Sequence, residues 1–290
     1  MILKLHRSAA RGYRNGKNYN IHMSAARIIV CNDDGIDSPG LRAAAEAVLG
    51  LGELVVVAPK RQQTGSGRSL DAQPDAVLEA VEFRVNGRLL EAYQADCAPA
   101  RLIQHAILVF FPEGRPALLV SGINYGENIG TTLTSSGTVG AALQAASFGV
   151  PALAVSLQTG VDEHRAYGDQ DWAAARHFTR LFAEKLLGRR LAPDVDVLNV
   201  NVPAGAGPQT PWRVTKASRQ PYFAFEMREP STRTPVDEGK LRITVDLEAL
   251  EQGSDIHALV RERAVSVTPL SLDLTSRTDL KELGRRLAGG

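Results

Sequence analysis

From residue 27 to about residue 158, short runs of β-branched and other apolar residues alternate with longer stretches rich in Ala and Leu. Short apolar runs bounded by Gly, Asn, Asp and Ser read as buried strands, and the longer stretches read as helices. The runs predict strands over 27–31, 54–58, 117–121 and 152–157. Helices are expected at about 40–50, 96–109 and 138–148. Such alternation gives parallel strands joined by crossover helices, so the fold class is α/β with a mostly parallel, Rossmann-like sheet. The segments 81–85 and 89–93 flank Asn86-Gly87, a hairpin turn signal.

Past residue 158 the pattern changes. Residues 171–187 predict an amphipathic helix with Trp172, Ala175, Phe178, Thr179, Phe182 and Leu186 on or near one face. A strand is expected at 196–202. Residues 203–240, rich in Pro, Ser, Thr and Arg, read as extended loops or projecting hairpins, and 241–247 and 264–268 as strands of a smaller β-rich portion. The expected organisation is therefore a basic, disordered extension over 1–26, a core over 27–202 and a β-rich C-terminal extension over 203–290.

Composition narrows the function. The chain has 290 residues, 44% apolar and 22% charged, ordinary values for a soluble globular protein. A formal charge of +1 argues against a general nucleic-acid binder, which carries a marked basic excess. Two cysteines, Cys31 and Cys97, make neither a disulfide framework nor a zinc cluster, and a reducing, cytoplasmic setting fits. No apolar run approaches the ~20 residues that span a bilayer, so no membrane partner is expected. Lys4, Arg7, Arg11, Arg14 and Lys17 fall in the first 26 residues, which hold no acidic residue. Such a leader can be an organelle presequence; an unstructured extension, or a start at Met23, is the simpler expectation.

The strand ends carry the candidate chemistry. The first predicted strand runs into Asn32-Asp33-Asp34-Gly35, placing two adjacent carboxylates where ligands bind in open parallel sheets. Two hard oxygen donors there suit Mg²⁺ or Mn²⁺, although Asn, Asp and Gly are also ordinary turn formers. The second strand runs into Lys60-Arg61-Gln62-Gln63-Thr64-Gly65-Ser66-Gly67-Arg68-Ser69, with hydroxyls, positive charge and glycines that allow close backbone approach. The third runs into Gly122-Ile123-Asn124-Tyr125-Gly126-Glu127-Asn128, with two amide side chains. Ser136-Gly137-Thr138 then opens a helix, whose free N–H groups suit an anion. Together these point to a cation bridging the chain to a phosphate group and to metal-assisted phosphoester hydrolysis.

The ordered motifs resemble SurE, the stationary-phase survival nucleotidases. Asn32-Asp33-Asp34-Gly35-Ile36-Asp37-Ser38-Pro39-Gly40-Leu41 is similar to that family's opening signature. Val57-Ala58-Pro59 with Arg61, Gly65 and Ser69-Leu70, then Ser121-Gly122-Ile123-Asn124 with Gly126, Asn128 and Gly130, resemble its next two segments. Ser136-Gly137-Thr138-Val139, the stretch 151–157, Gly253-Ser254-Asp255-Ile256-His257-Ala258 and Val265-Ser266-Val267-Thr268-Pro269-Leu270 continue the likeness.

The resemblance implies a divalent-metal phosphatase acting on nucleoside 5′- or 3′-monophosphates, or on other small phosphomonoesters, through one cation per subunit. It implies a three-layer α/β/α fold with a C-terminal extension exchanged between subunits of a homodimer or homotetramer. Metal ligands would fall on Asp33, Asp34, Thr64 and Asn124. Asp33, Asp34 and Asn128 would be catalytic; Gly65, Ser136, Gly137 and Thr138 would bind phosphate. Water or an aspartate could be the nucleophile.

The chain departs from the family pattern at several places. Thr64 stands for the usual serine, Ala92-Tyr93-Gln94 for a Gly-Thr-Pro stretch, Thr131-Thr132 for an acidic pair, Ser135 for a tyrosine and Arg68 for an Asn or His. Two other readings compete: a catalytically weakened, nucleotide-binding regulatory member of the fold, and a metal-dependent glycosyltransferase. The histidines form no catalytic set: His105 is expected on a packed helix, in the core or behind the site, His257 in a structural hydrogen bond, and His164 and His177 show no convincing partners nearby in sequence.

Overall fold

The computed structural model describes residues 26–165, 167–188, 191–236 and 238–289, so the basic extension at 1–26 lies, but for Ala26, outside the described residues. Its central strand is β1 (Arg27–Cys31), flanked in parallel by β2 (Glu53–Pro59) and β6 (Leu118–Tyr125). Beyond β2 lies β5 (Arg88–Ala95), edged by the short antiparallel β3 (Glu79–Ala80) and β4 (Phe83–Val85). Beyond β6 come β7 (Ala152–Leu157) and β8 (Val197–Val202), again parallel. The chain thus leaves β1 toward one edge and returns on its other side at β6. That reversal opens a crevice beyond the carboxyl ends of β1 and β6, the position where such sheets bind ligands.

Side-chain alternation along β1 sets the layers, because successive residues of a strand face opposite ways. Ile28 and Val30 face α1 (Pro39–Val48) and α4 (Ala173–Gly188), packing with Leu41, Ala44, Phe178 and Phe182. Ile29 and Cys31 face α2 (Pro99–Phe110) and α3 (Gly137–Ser147), packing with Ile103, Ala106, Ala142 and Ala145. The result is the expected three-layer α/β/α fold. Pro39 and Pro99 each stand at the first turn of a helix, where a missing N–H costs nothing.

The predicted strands at 27–31 and 152–157 match β1 and β7, and the hairpin forms with Asn86 at φ 50° and Gly87 at φ 77°, the positive pair a tight primed turn requires. Two expectations change. The strand read as 117–121 continues to Tyr125, through a bulge that sets Ser121 opposite Ala154 but Asn124 opposite Ser156. Gly122 permits this: at φ 130°, a Cβ there would sit 2.3 Å from the Val155 carbonyl oxygen. The strand expected at 264–268 does not stand in a separate β portion. As β12 (Val265–Leu270) it pairs antiparallel with β8, and β9 (Trp212–Val214) pairs with β12, so the main sheet draws on residues beyond 203.

Only β10 (Phe223–Glu226) and β11 (Lys240–Ile243) form a second, two-stranded sheet among the described residues. The short α5 (Asp255–Val260) and the terminal α6 (Leu280–Leu287), which buries no residue, complete the chain. No helix among the described residues is long and apolar enough to cross a membrane.

Candidate active site

The turn after β1 is built by its own side chains. Asn32 Oδ1 accepts from the Gly35 amide at 3.2 Å, and Asn32 Nδ2 donates to the Gly35 carbonyl at 3.1 Å. This closes the turn around Asp33 and Asp34, which are only 5% and 2% exposed. No Lys, Arg or His forms an ion pair with either among the described residues. Two adjacent carboxylates are thus taken out of water without a protein cation, a costly arrangement unless a proton or a cation joins them.

Each carboxylate has a different set of donors. The Thr138 hydroxyl donates to Asp33 Oδ1 at 2.5 Å. Burial pushes the Asp33 pKa up, while the Thr138 hydroxyl and the amides of Thr138 and Gly137 at the start of α3 pull it down. Gly137 is needed for this approach, since a Cβ there would lie 2.7 Å from Asp33 Oδ2 and 2.7 Å from Ser66 Oγ. Asp34 receives Gln62 Nε2 at 2.9 Å and the Tyr125 amide at 3.3 Å. Burial first, and the charge of Asp33 second, push the Asp34 pKa up to about 8.

Asp33, Asp34, Thr64, Gly65, Asn124, Asn128 and Ser136 line one cavity of about 210 Å³. Asn124 donates its Nδ2 to the Tyr125 and Gly126 carbonyls at 3.0 and 2.7 Å, leaving Oδ1 as its remaining group at the cavity. Ser136 caps α3 by accepting from the Val139 amide at 3.1 Å, so its hydroxyl proton stays available. Gly137 and Thr138 do not line the cavity. They back Asp33, while Ser136 at the same helix start lines the cavity.

Two carboxylates joined by neutral oxygens from Thr64 and Asn124 form a hard donor set that fits Mg²⁺ or Mn²⁺. No group of three or more His, Cys, Asp or Glu able to hold a metal occurs among the described residues, so this mixed set is the candidate.

Several participants were not foreseen from sequence. Asn128 is held by two buried asparagines of β8: its amide donates to Asn201 Oδ1 at 2.8 Å, and its carbonyl accepts from Asn199 and Asn201 at 2.9 and 3.1 Å. Asn128 Nδ2 also donates to Ser156 Oγ at 2.9 Å. The signal was present, since two asparagines in an otherwise apolar strand must find partners once buried.

The segment after β7 was also missed. Gln62 Nε2 reaches the His164 carbonyl at 2.6 Å as well as Asp34, and the Tyr167 hydroxyl donates to the Asp34 carbonyl. Glu127, 3% exposed, has its pKa raised by burial, with the Tyr222 and Gln158 side chains beside its carboxylate pulling it back down.

Of Arg68, His105, His164 and residues 92–94, only His164 reaches the cavity. Arg68 turns from the cavity to donate to Gln144 on α3 at 2.8 Å. His105 is exposed, because α2 buries Leu102, Ile103, Ala106 and Ile107 and position 105 lies off that stripe. His164, without a partner nearby in sequence, lies in the cavity wall and meets the distant Phe223 edge to face. Ala92-Tyr93-Gln94 pairs with Val56-Val57-Ala58 inside the sheet and does not line the cavity.

The family described as survival protein SurE matches residues 28–224. A protein from Methanocella arvoryzae named 5′-nucleotidase SurE is 38% identical over 267 residues, covering 89% of this chain and 97% of that protein. Another of the same name from Thermococcus gammatolerans is 40% identical over 267 residues, covering 91% and 96%. The crystal structure of the SurE protein from Aquifex aeolicus superposes with a TM-score of 0.70 at 28% identity, covering 90% of this chain and 99% of that one.

Proposed function

Because the chain belongs to the survival protein SurE family, we propose that it is a divalent-metal-dependent phosphatase of nucleoside 5′- or 3′-monophosphates. The observation that carries this reading is the buried Asp33–Asp34 pair. It sits without a protein cation at the crevice between β1 and β6, in one cavity with Ser136 and Asn128.

Asp33, Asp34, Thr64 and Asn124 would hold one Mg²⁺ or Mn²⁺ ion. Such an ion supplies Lewis acidity toward a phosphoryl oxygen and toward the attacking group. The chain's own part is positioning. Thr138 and the first amides of α3 favour the charged form of Asp33 against the burial that raises its pKa, and Gln62 with the Tyr125 amide holds Asp34 in place. The Ser136 hydroxyl and the backbone at Gly65 offer donors to phosphate, and Asn128, fixed by β8, presents its amide group to developing negative charge.

Thr64 keeps the hydroxyl and the altered residues 92–94 do not line the cavity, so these two departures give little support to a weakened, binding-only member; Thr132 and Ser135, which depart as well, do line it. Phosphate release from a panel of nucleoside monophosphates, with and without EDTA, tests the reading. Metal-dependent turnover that falls by at least about a hundredfold in Asp33→Asn supports it. Full, EDTA-resistant turnover in folded Asp33→Asn overturns it.

The same reading takes the protein as cytoplasmic, in keeping with two free, buried cysteines, and as a homodimer or homotetramer. Phe225, Ile243, Leu280 and Leu287 remain exposed on β10, β11 and α6, apolar surface within 203–290 that suits a second copy. Light scattering on the purified protein checks the assembly.

A further inference from the structure

The cavity is built from two directions. Asp33, Asp34 and Asn124 stand on β1 and β6 or just past them. Thr132 and Ser135 come instead from a short 3₁₀ turn, Gly130–Ser135, and Ser136 follows it. That turn lies outside the sheet, so its place must be fixed by other contacts. Its hydroxyls bond within it: Thr132 Oγ1 donates to the Ile129 carbonyl at 2.6 Å, and Ser135 Oγ to the Thr132 carbonyl at 3.0 Å. At its end, the Ser135 carbonyl accepts from the Gly67 amide at 2.9 Å. At its start, the Gly130 amide donates to Asp255 Oδ2 at 2.9 Å.

Asp255 lies 125 residues further along the chain, at the first position of α5, and is 0% exposed. Its other oxygen, Oδ1, accepts from the Ser218 amide at 2.9 Å and the Ile256 amide at 2.8 Å. No Lys, Arg or His among the described residues forms an ion pair with it. Burial raises its pKa, and the amides of Gly130, Ser218 and Ile256 pull it down. The helix α5 does not need this carboxylate as a cap, because Ser254 Oγ already accepts from the His257 amide at 3.2 Å. A carboxylate buried at a cost in free energy therefore serves a distant amide. The apolar contacts agree: Ile129 packs with Tyr222, Ile256 and Leu259. Gly130, at φ 58°, sits so close that a Cβ would lie 2.7 Å from the Gln220 carbonyl oxygen and 2.9 Å from Ile256 Cδ1.

We propose that Asp255 is a positioning residue for the phosphate side of the site: by holding the Gly130 amide it sets where Thr132, Ser135 and Ser136 stand in the cavity. This rests on the phosphatase reading and deepens it, by hanging the phosphate side on residues beyond 203. The carboxylates and Asn124 take their places from the parallel sheet, so binding of metal and binding of phosphate become separable.

Asp255→Asn cuts one contact of the three. The asparagine keeps one carbonyl oxygen, which serves the Ser218 and Ile256 amides, and sets its NH2 group against the Gly130 amide. Calorimetric titration with Mn²⁺ alone, and with inorganic phosphate in the presence of Mn²⁺, reads the two sides. Asp255→Asn should weaken phosphate binding by about tenfold and leave the Mn²⁺ affinity at the wild-type value. It should raise KM for adenosine 5′-monophosphate by about the same factor, with a smaller effect on kcat. Leu259→Ala loosens the same apolar cluster but keeps the carboxylate. It should lower the melting temperature without moving the phosphate affinity.

Unchanged phosphate affinity in folded Asp255→Asn, or an equal loss in Leu259→Ala, overturns the inference while leaving the phosphatase reading intact. A loss of Mn²⁺ affinity as large as the loss of phosphate affinity overturns it too. If the wild-type protein hydrolyses no nucleotide, the phosphatase reading fails, and the phosphate titration still decides the role of Asp255. A wild-type protein that binds no phosphate overturns that role. Should Asp255→Asn not fold, hydrogen exchange in the wild-type protein decides. Saturating phosphate should slow the Gly130 amide by more than the Ile256 amide, which the same carboxylate holds, and equal slowing overturns the inference.

Discussion

The Thr138 hydroxyl and the Asp33 carboxylate meet at 2.5 Å, joining the start of α3 to the end of β1. This contact engages Asp33 Oδ1 and fixes the orientation of the carboxylate. A group that orients a ligand in this way is worth about 10–100-fold in metal affinity or activity. Thr138→Val is therefore expected to weaken Mn²⁺ binding by about that factor while the fold persists, read by calorimetric titration beside circular dichroism. Unchanged affinity would remove Thr138 from the site.

Thr64 is exposed and presents a hydroxyl to the cavity. Thr64→Ser keeps that oxygen and should retain activity. Thr64→Val keeps the shape and loses the oxygen, and is expected to raise the metal concentration needed for half-maximal phosphate release by about tenfold. Equal curves for the two variants would show that the oxygen is not a ligand.

Stability should depend on pH through the buried carboxyls. Asp34 has its pKa raised from 3.8 to about 8 in the fold, so the folded chain binds that proton more tightly than the unfolded chain. The folded state is therefore favoured below about pH 4, and this contribution is lost as the pH rises toward 8. Glu127, raised by the same burial, acts in the same direction. Metal-free protein should melt at a lower temperature at pH 8.5 than at pH 5, and Asp34→Asn should reduce the difference. Saturating Mn²⁺ should reduce it too, because the cation binds the ionised pair. Scanning calorimetry across pH reads all three, and a melting temperature that rises with pH in metal-free protein would contradict them.

Asn201 both donates to and accepts from the Asn128 backbone. Asn201→Leu leaves the Asn128 amide without its acceptor, an omission worth about 1–3 kcal/mol in a buried setting. It should lower both the melting temperature and kcat, the latter by about tenfold if Asn128 loses its position. A stability loss with kcat intact would confine Asn201 to a structural role.

The sheet and its site were legible to different depths in the sequence. Strands such as 27–31 and 152–157 are short apolar runs with clear punctuation, so their bounds follow from pattern alone. Asp33, Asp34, Thr64 and Asn124, which line one cavity, could be picked out as candidates because each follows a predicted strand, where parallel sheets place ligands. Partnership across long sequence separations could not be found. Nothing near Asn128 announces Asn201, and nothing near Asp34 announces Gln62 or Tyr167. Thr138 shows the same limit: nothing near it in sequence announces that its hydroxyl meets Asp33. The place of β12 was hidden because a short apolar run reads alike at the edge of a small sheet and in the middle of a large one.

That last strand ties the site to the order in which the chain is made. Ser266 lies opposite Asn201 and Thr268 opposite Asn199, so β8 becomes an interior strand only when β12 is added some sixty residues later. A nascent chain that has just released β8 already holds Asp33, Asp34 and Asn124 on neighbouring strands. Its two asparagines still border an open edge where water competes for them. Stalled chains ending before residue 265 should leave the Asn128 amide quick to exchange its hydrogen, and chains that have cleared residue 275 should protect it. Catalytic competence would then arrive with the end of translation, and an incomplete product would carry the carboxylates without the grip on Asn128.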